Sequence, residues 1–170
     1  MTVLLRVLLL SLALFGASCS ADRAAQYAVH QIMDTVEKAY IDKDVNMILY
    51  LMDASFNYTM CGYTGTLKHF KGYLDNQMKT LMDLKFLVDY DNADIETKDD
   101  IETLTFHVDS EALYDDRSRV EGGAVVTAIR KKYNPIFYIS HIHQQCRVTA
   151  KRHHRLYRLF TNENLYDYRK

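Results

Sequence analysis

The chain is poor in the residues that mark unusual architectures: among 170 residues there are six glycines, one proline, three cysteines and no tryptophan. So little glycine and proline excludes a collagen-like or low-complexity chain, and three cysteines are too few for a disulfide scaffold. Charge is also scarce in net terms. With 21 basic and 22 acidic residues the formal charge is -1, which argues against nucleic acid or a membrane surface as the dominant partner. No metal, phosphate or nucleophile motif with a specific spacing is present, and no cofactor is expected. What remains is a 48% hydrophobic chain of a length that buries roughly 68 to 70% of its unfolded surface in a single core.

The longest apolar stretch stands at the start. Arg6 precedes Val7 to Phe15, and the small residues Gly16, Ala17, Ser18 and Ser20 follow. Residues 1–21 thus read as a signal peptide, too short in its apolar run to span a bilayer, so the mature protein is expected to be secreted with no membrane anchor. A lipid-modified Cys19 ranks lower, because Gly16 stands where that motif wants leucine. Cleavage would leave Cys61 and Cys146 in an oxidising compartment, where a single disulfide is the natural expectation. It would close a loop of roughly 85 residues, worth about 4 to 5 kcal/mol on the chain-entropy model. The mature chain carries one Asn-x-Ser/Thr sequence, Asn57-Tyr58-Thr59, a glycosylation acceptor if Asn57 faces outward.

Charge is asymmetric along the chain. Residues 22–146 hold 13 basic and 20 acidic groups, whereas residues 147–170 hold 7 basic and 2 acidic. The chain divides into the signal segment, a domain over 22–148 and a basic C-terminal segment over 149–170, for which a solvated tail is preferred over an anion site.

The hydrophobic period changes once, from 3.6 to 2. Asp22 is positioned to cap a helix carrying Ala25, Ala28, Val29, Ile32, Met33, Val36 and Tyr40. Asp44 caps a second, shorter helix, and Thr66 a third carrying Leu67, Phe70, Leu74, Met78 and Leu81. Between the last two, Phe56, Tyr58 and Met60 alternate with Asn57 and Thr59 as a strand, followed by a turn at Gly62 and Gly65. From Leu84 the alternation persists through four strands, marked by Phe86 and Val88, then Leu104, Phe106 and Val108, then Val125, Val126 and Ile129, then Ile136 to Val148. Gly122 and Gly123 suggest a bulge, and Asn134-Pro135 a turn. The fold class is α+β: three N-terminal helices packed on a bent, mostly antiparallel sheet.

On this element order, and on Asp44-Val45-Asn46-Met47-Ile48 leading to Met52-Asp53-Ala54-Ser55-Phe56, the chain resembles the nuclear transport factor 2-like superfamily over Ala24 to Val148. That resemblance implies a cone-shaped α+β fold with an apolar mouth, in a group that includes ketosteroid isomerases, dehydratases, polyketide cyclases and non-enzymatic binding modules. It implies an isomerase base near Tyr58, which is no carboxylate, a polarising tyrosine near Glu37, with Tyr40 as a substitute, and an acid partner near Ile129. No catalytic set is assembled, so a non-catalytic module binding a small apolar ligand or a protein is expected. The alternative is a lyase or isomerase acting on an apolar carbonyl compound in the cone. Met33, Tyr40, Phe56, Tyr58 and Phe106 are the expected pocket lining, and Tyr27 and Tyr50 are assigned with Tyr40 and Tyr58 to packing.

Three surface features complete the pattern. His141 and His143 place two imidazoles on one strand face with His107 as a distant third, for which a solvent- or dimer-facing role outweighs a zinc site. Phe137, Ile139, Leu87, Val125 and Ile129 are expected on that same outer face, a patch that fits homodimerisation through the sheet. The acidic run Asp89 to Glu102 matches no calcium loop and reads as a solvated edge.

Overall fold

The structure, a computed structural model, describes residues 23–60 and 62–145. The signal segment, Asp22, Cys61, Cys146 and the basic tail lie outside the described residues, as do the expectations attached to them. Helix α1 runs over 23–42, followed by α2 (Val45–Leu49), β1 (Met52–Met60), β2 (Tyr63–Thr66), α3 (Leu67–Thr80), β3 (Leu81–Lys98), β4 (Ile101–Tyr114), β5 (Arg119–Lys131) and β6 (Tyr138–Gln145). No helix among the described residues is long and apolar enough to cross a membrane.

Helices α2 and α3 begin where their caps dictate. The Asp44 carboxylate accepts from the backbone N–H groups of Asn46 and Met47, satisfying two donors that the first turn leaves open. At α3 the Thr66 backbone N–H donates to His69 Nδ1 at 3.3 Å, a capping box closed by histidine. Along α1, Ala25, Val29, Ile32, Met33 and Ala39 are buried, one stripe at helical spacing. Tyr27 and Tyr50, expected in packing, are instead exposed: Tyr27 lies off that stripe, and Tyr50 follows the last turn of α2.

One mixed, six-stranded sheet of order β2-β1-β6-β5-β4-β3 faces the helices. All pairs are antiparallel except β1 with β6, which run parallel in the register Thr59 with His143 and Met60 with Gln144. The alternation works out as the sequence predicts on β1 and β4, where Phe56, Tyr58, Met60, Leu104, Phe106 and Val108 all point into the core.

Four local expectations are corrected. The segment after Gly62 is a short strand, β2, rather than a turn alone; Gly62 takes φ +81° to make the reversal, and four residues are too few to show a period. Gly122 and Gly123 mark no bulge, since β4 and β5 stay in register through Ser110 with Gly122 and Asp109 with Gly123. β3 starts at Leu81, at the end of α3, with no loop between them. Most consequential is Ser140: β5 and β6 slip between Thr127 with His141 and Ala128 with Ile139, so β6 carries one extra residue. The slip flips the faces on either side of it, so Phe137 and Ile139 are buried in the core while His141 and His143 stay on the outer face. The apolar outer patch shrinks to Leu87, which is 74% exposed, with the half-buried Val125 and Ile129.

Candidate functional site

Between the helices and the concave face of the sheet lies a cavity of about 170 Å³. Ile32, Met33, Val36 and Tyr40 of α1 form one wall, Tyr58 and Met60 of β1 another, and Phe106, Val108, Val126 and Ile139 the sheet side. Of the residues expected to line a pocket, Met33, Tyr40, Tyr58 and Phe106 stand on this wall. Phe56 does not: it is 3% exposed, and its ring packs 5.0 Å from that of Phe70 and 6.4 Å from that of Tyr58, so it supports the wall from behind.

Tyr58, at the position where the resemblance implies an isomerase base, is held by its neighbours. Its ring lies 5.5 Å from Phe70 and 6.1 Å from Tyr63, and it crosses Gly65 of β2 so closely that a Cβ there would overlap it. Glycine is required at 65 for this approach rather than for its backbone freedom. Burial first, and the Tyr63 hydroxyl second, push the Tyr58 phenol up to about 12, so it stays protonated at neutral pH.

A second, smaller cavity of about 80 Å³ adjoins the first. Tyr40, Tyr73, Phe86, Ser110, Gly122 and Gln144 border both. Its own wall is more polar, with Gln77 and Tyr114 facing each other: the Tyr114 hydroxyl donates to Gln77 Oε1, which gives Gln77, a buried polar residue, its partner. Tyr40 and Tyr73 are raised above their usual range, burial first and neighbouring tyrosine hydroxyls second. Tyr114 is raised by burial against the opposing effect of its bond to Gln77. Four phenols thus meet in one region, all neutral near pH 7.

Among the described residues, those lining either cavity include no carboxylate, imidazole, amine or guanidinium. Glu37 is exposed on α1 and Ile129 is half-buried, so neither position the resemblance implies supplies an acid to the cavity. The strand histidines His107, His141 and His143 lie on the other side of the sheet. His107 Nε2 is 3.3 Å from Asp109 Oδ1, and the His141 and His143 rings stack at 6.3 Å, with Val125 of β5 between His107 and His143. No group of three His, Cys, Asp or Glu able to hold a metal occurs among the described residues. Asn57, on the same outer face, is exposed and its Oδ1 meets His141 Nδ1 at 2.5 Å.

No family model matches the chain, and no curated protein matches it. Solved structures do. A nuclear transport factor 2-like superfamily protein from Salmonella enterica serovar Typhimurium superposes with a TM-score of 0.55 at 11% identity, covering 76% of this chain and 97% of that one. A candidate scytalone dehydratase from Novosphingobium aromaticivorans gives 0.57 at 10% identity, with coverage of 75% and 87%. A candidate ketosteroid isomerase from Shewanella frigidimarina gives 0.51 at 14%, with coverage of 69% and 94%. At such identities the likeness is one of fold: helices packed on a six-stranded mixed sheet, as in the nuclear transport factor 2-like cone.

Proposed function

We propose that this nuclear transport factor 2-like domain is a secreted, non-catalytic binding module that holds a small apolar ligand inside its cone. The observation that carries the proposal is the lining: about 170 Å³ of mostly apolar space bordered by phenols held protonated, with no group that titrates near neutrality on its wall among the described residues. An isomerase or dehydratase would need a base poised near the working pH within reach of the substrate proton. The cone offers hydrophobic burial and hydrogen bonds instead, which is the chemistry of binding rather than of proton abstraction.

Secretion is proposed from residues 1–21, and two features of the folded domain accord with it. β1 and β6 lie side by side, which is what a disulfide between Cys61, just after β1, and Cys146, just after β6, demands. Asn57 presents its side chain on the exposed face of the sheet, where a glycan leaves the core intact. Native mass spectrometry of the protein collected from the secretion medium tests the proposal. The expected spectrum shows the chain without residues 1–21, plus a small neutral molecule released on denaturation. Retention of the leader, or an empty chain that turns over unsaturated ketones, would overturn it.

A further inference from the structure

The larger cavity is mostly apolar and the smaller one more polar, and the wall they share crosses the sheet through Phe86, Ser110, Gly122 and Gln144. The Gln144 Nε2 lies 2.8 Å from where a Gly122 Cβ would sit, and Ser110 Oγ lies 3.7 Å from the same point. The missing side chain is what lets the Gln144 carboxamide lie this close to the strand, while the Ser110 hydroxyl sits at ordinary contact distance beside it. Neither the Ser110 hydroxyl nor the Gln144 carboxamide hydrogen-bonds to another described residue, whereas Gln77 and Tyr114 hold each other. Tyr40 and Tyr73 border the same wall with their phenols protonated. Hydrogen-bonding capacity is therefore gathered at one end of an apolar chamber, and all of it is uncharged.

Resting on the binding function proposed above, we infer that the ligand is a small neutral molecule with one hydrogen-bonding head, a phenol, alcohol or ketone on a body of about one ring. The body occupies the larger cavity, and the head meets Ser110 and Gln144 beside Gly122. Size follows from volume: an apolar cavity of about 150 Å³ admits benzene, and the larger chamber here is close to that. Neutrality follows from the wall. A carboxylate or ammonium head would be desolvated with no counter-charge among the described lining residues, a penalty that disfavours it, whereas a hydroxyl or carbonyl finds both donors and acceptors.

Three probes that share a ring and differ in the head test this by calorimetry on the intact domain: p-cresol, toluene and benzoate. p-Cresol and toluene are expected to bind, and benzoate is not. The double substitution Ser110→Ala with Gln144→Met is expected to weaken p-cresol about tenfold and to leave toluene within about twofold, the loss of roughly one or two net hydrogen bonds. Val126→Phe, which fills the larger chamber, is expected to abolish binding of both. If the double variant changes the two probes equally, or benzoate binds as well as p-cresol, the head-group assignment is wrong while the apolar cone still binds. If none of the three binds, the binding function itself falls and the assignment with it. Circular dichroism of each variant separates a lost contact from a lost fold.

Discussion

Replacing either of two glycines by alanine should move stability in opposite directions, and the contrast isolates the packing behind the cavity wall. At Gly65 the new methyl would land on the ring of Tyr58, which is 1% exposed and flanked by Phe70 and Tyr63. The obstacle is a ring in the core rather than a flexible tip, so the neighbours must shift. Overpacking of this kind costs about 1 to 3 kcal/mol, offset by the roughly 0.5 to 1 kcal/mol that alanine gains over glycine in an ordinary strand or helix. Gly65→Ala should therefore destabilise by about 1 to 2 kcal/mol, lowering Tm by about 2 to 8 °C at this chain length. At Gly72, inside α3, an added Cβ meets nothing within 4 Å, so only the propensity gain remains. Gly72→Ala should stabilise by about 0.5 to 1 kcal/mol. Urea denaturation of both variants is the assay, with Tyr58→Leu added to each. The smaller side chain should erase the cost at Gly65 and leave the gain at Gly72 unchanged, as coupling demands for neighbours and not for distant sites. A Gly65→Ala variant as stable as the parent would refute the close approach of β2 to the Tyr58 ring.

Three further outcomes are expected. Phe106→Ala, at a side chain 2% exposed on the sheet side of the cavity, should cost about 3 kcal/mol in urea denaturation, the low end for phenylalanine because one side of the ring already borders empty space. Stability should hold below about pH 10 and fall as pH climbs toward 12: the unfolded phenols ionise near 10 while Tyr58, Tyr40 and Tyr73 keep their protons in the fold, so the folded state binds more protons in that window. Urea midpoints at about pH 8 and about pH 11 check the sign, and an unchanged midpoint would contradict it. Peptide mapping without reductant, before and after a glycan-releasing amidase, should recover Cys61 joined to Cys146 and a mass change confined to Asn57; free thiols or an unmodified Asn57 would each contradict their part.

How far the sequence speaks depends on how many residues share one periodic face. Leu104, Phe106 and Val108 announce β4 and its inner face because a strand buried on one side forces a period of two, and the α1 stripe does the same at 3.6. The same rule misplaced Phe137 and Ile139, because the extra residue at Ser140 inverts the face and its signature is a pairing between β5 and β6 rather than a residue type. β2 was hidden by its length. The cavity is half legible: Met33 and Tyr40 follow from the helical period of α1 and Tyr58 and Phe106 from alternation on β1 and β4, whereas Ser110, Tyr114, Gln77 and Gln144 are not among the expected lining. A signal for them existed. Ser110 and Tyr114 continue the inward phase of Leu104, Phe106 and Val108, Gln144 continues that of Ile142, and Gln77 lies on the α3 face of Phe70 and Leu74. Polar residues on an inward phase are what a cavity wall looks like in a sequence.

The central claim, that the cone is hollow and apolar and takes up a small neutral guest, is tested most directly by xenon. Methyl-resolved NMR of the intact domain under xenon pressure should show saturable shifts at Ile32, Val108, Val126 and Ile139, which border the cavity, and none at Leu87 on the outer face. In Val126→Phe the shifts at Ile32, Val108 and Ile139 should vanish. Shifts absent from those methyls in the parent, or equal at Leu87, would mean that the cone is filled by its own side chains and has no room for a ligand.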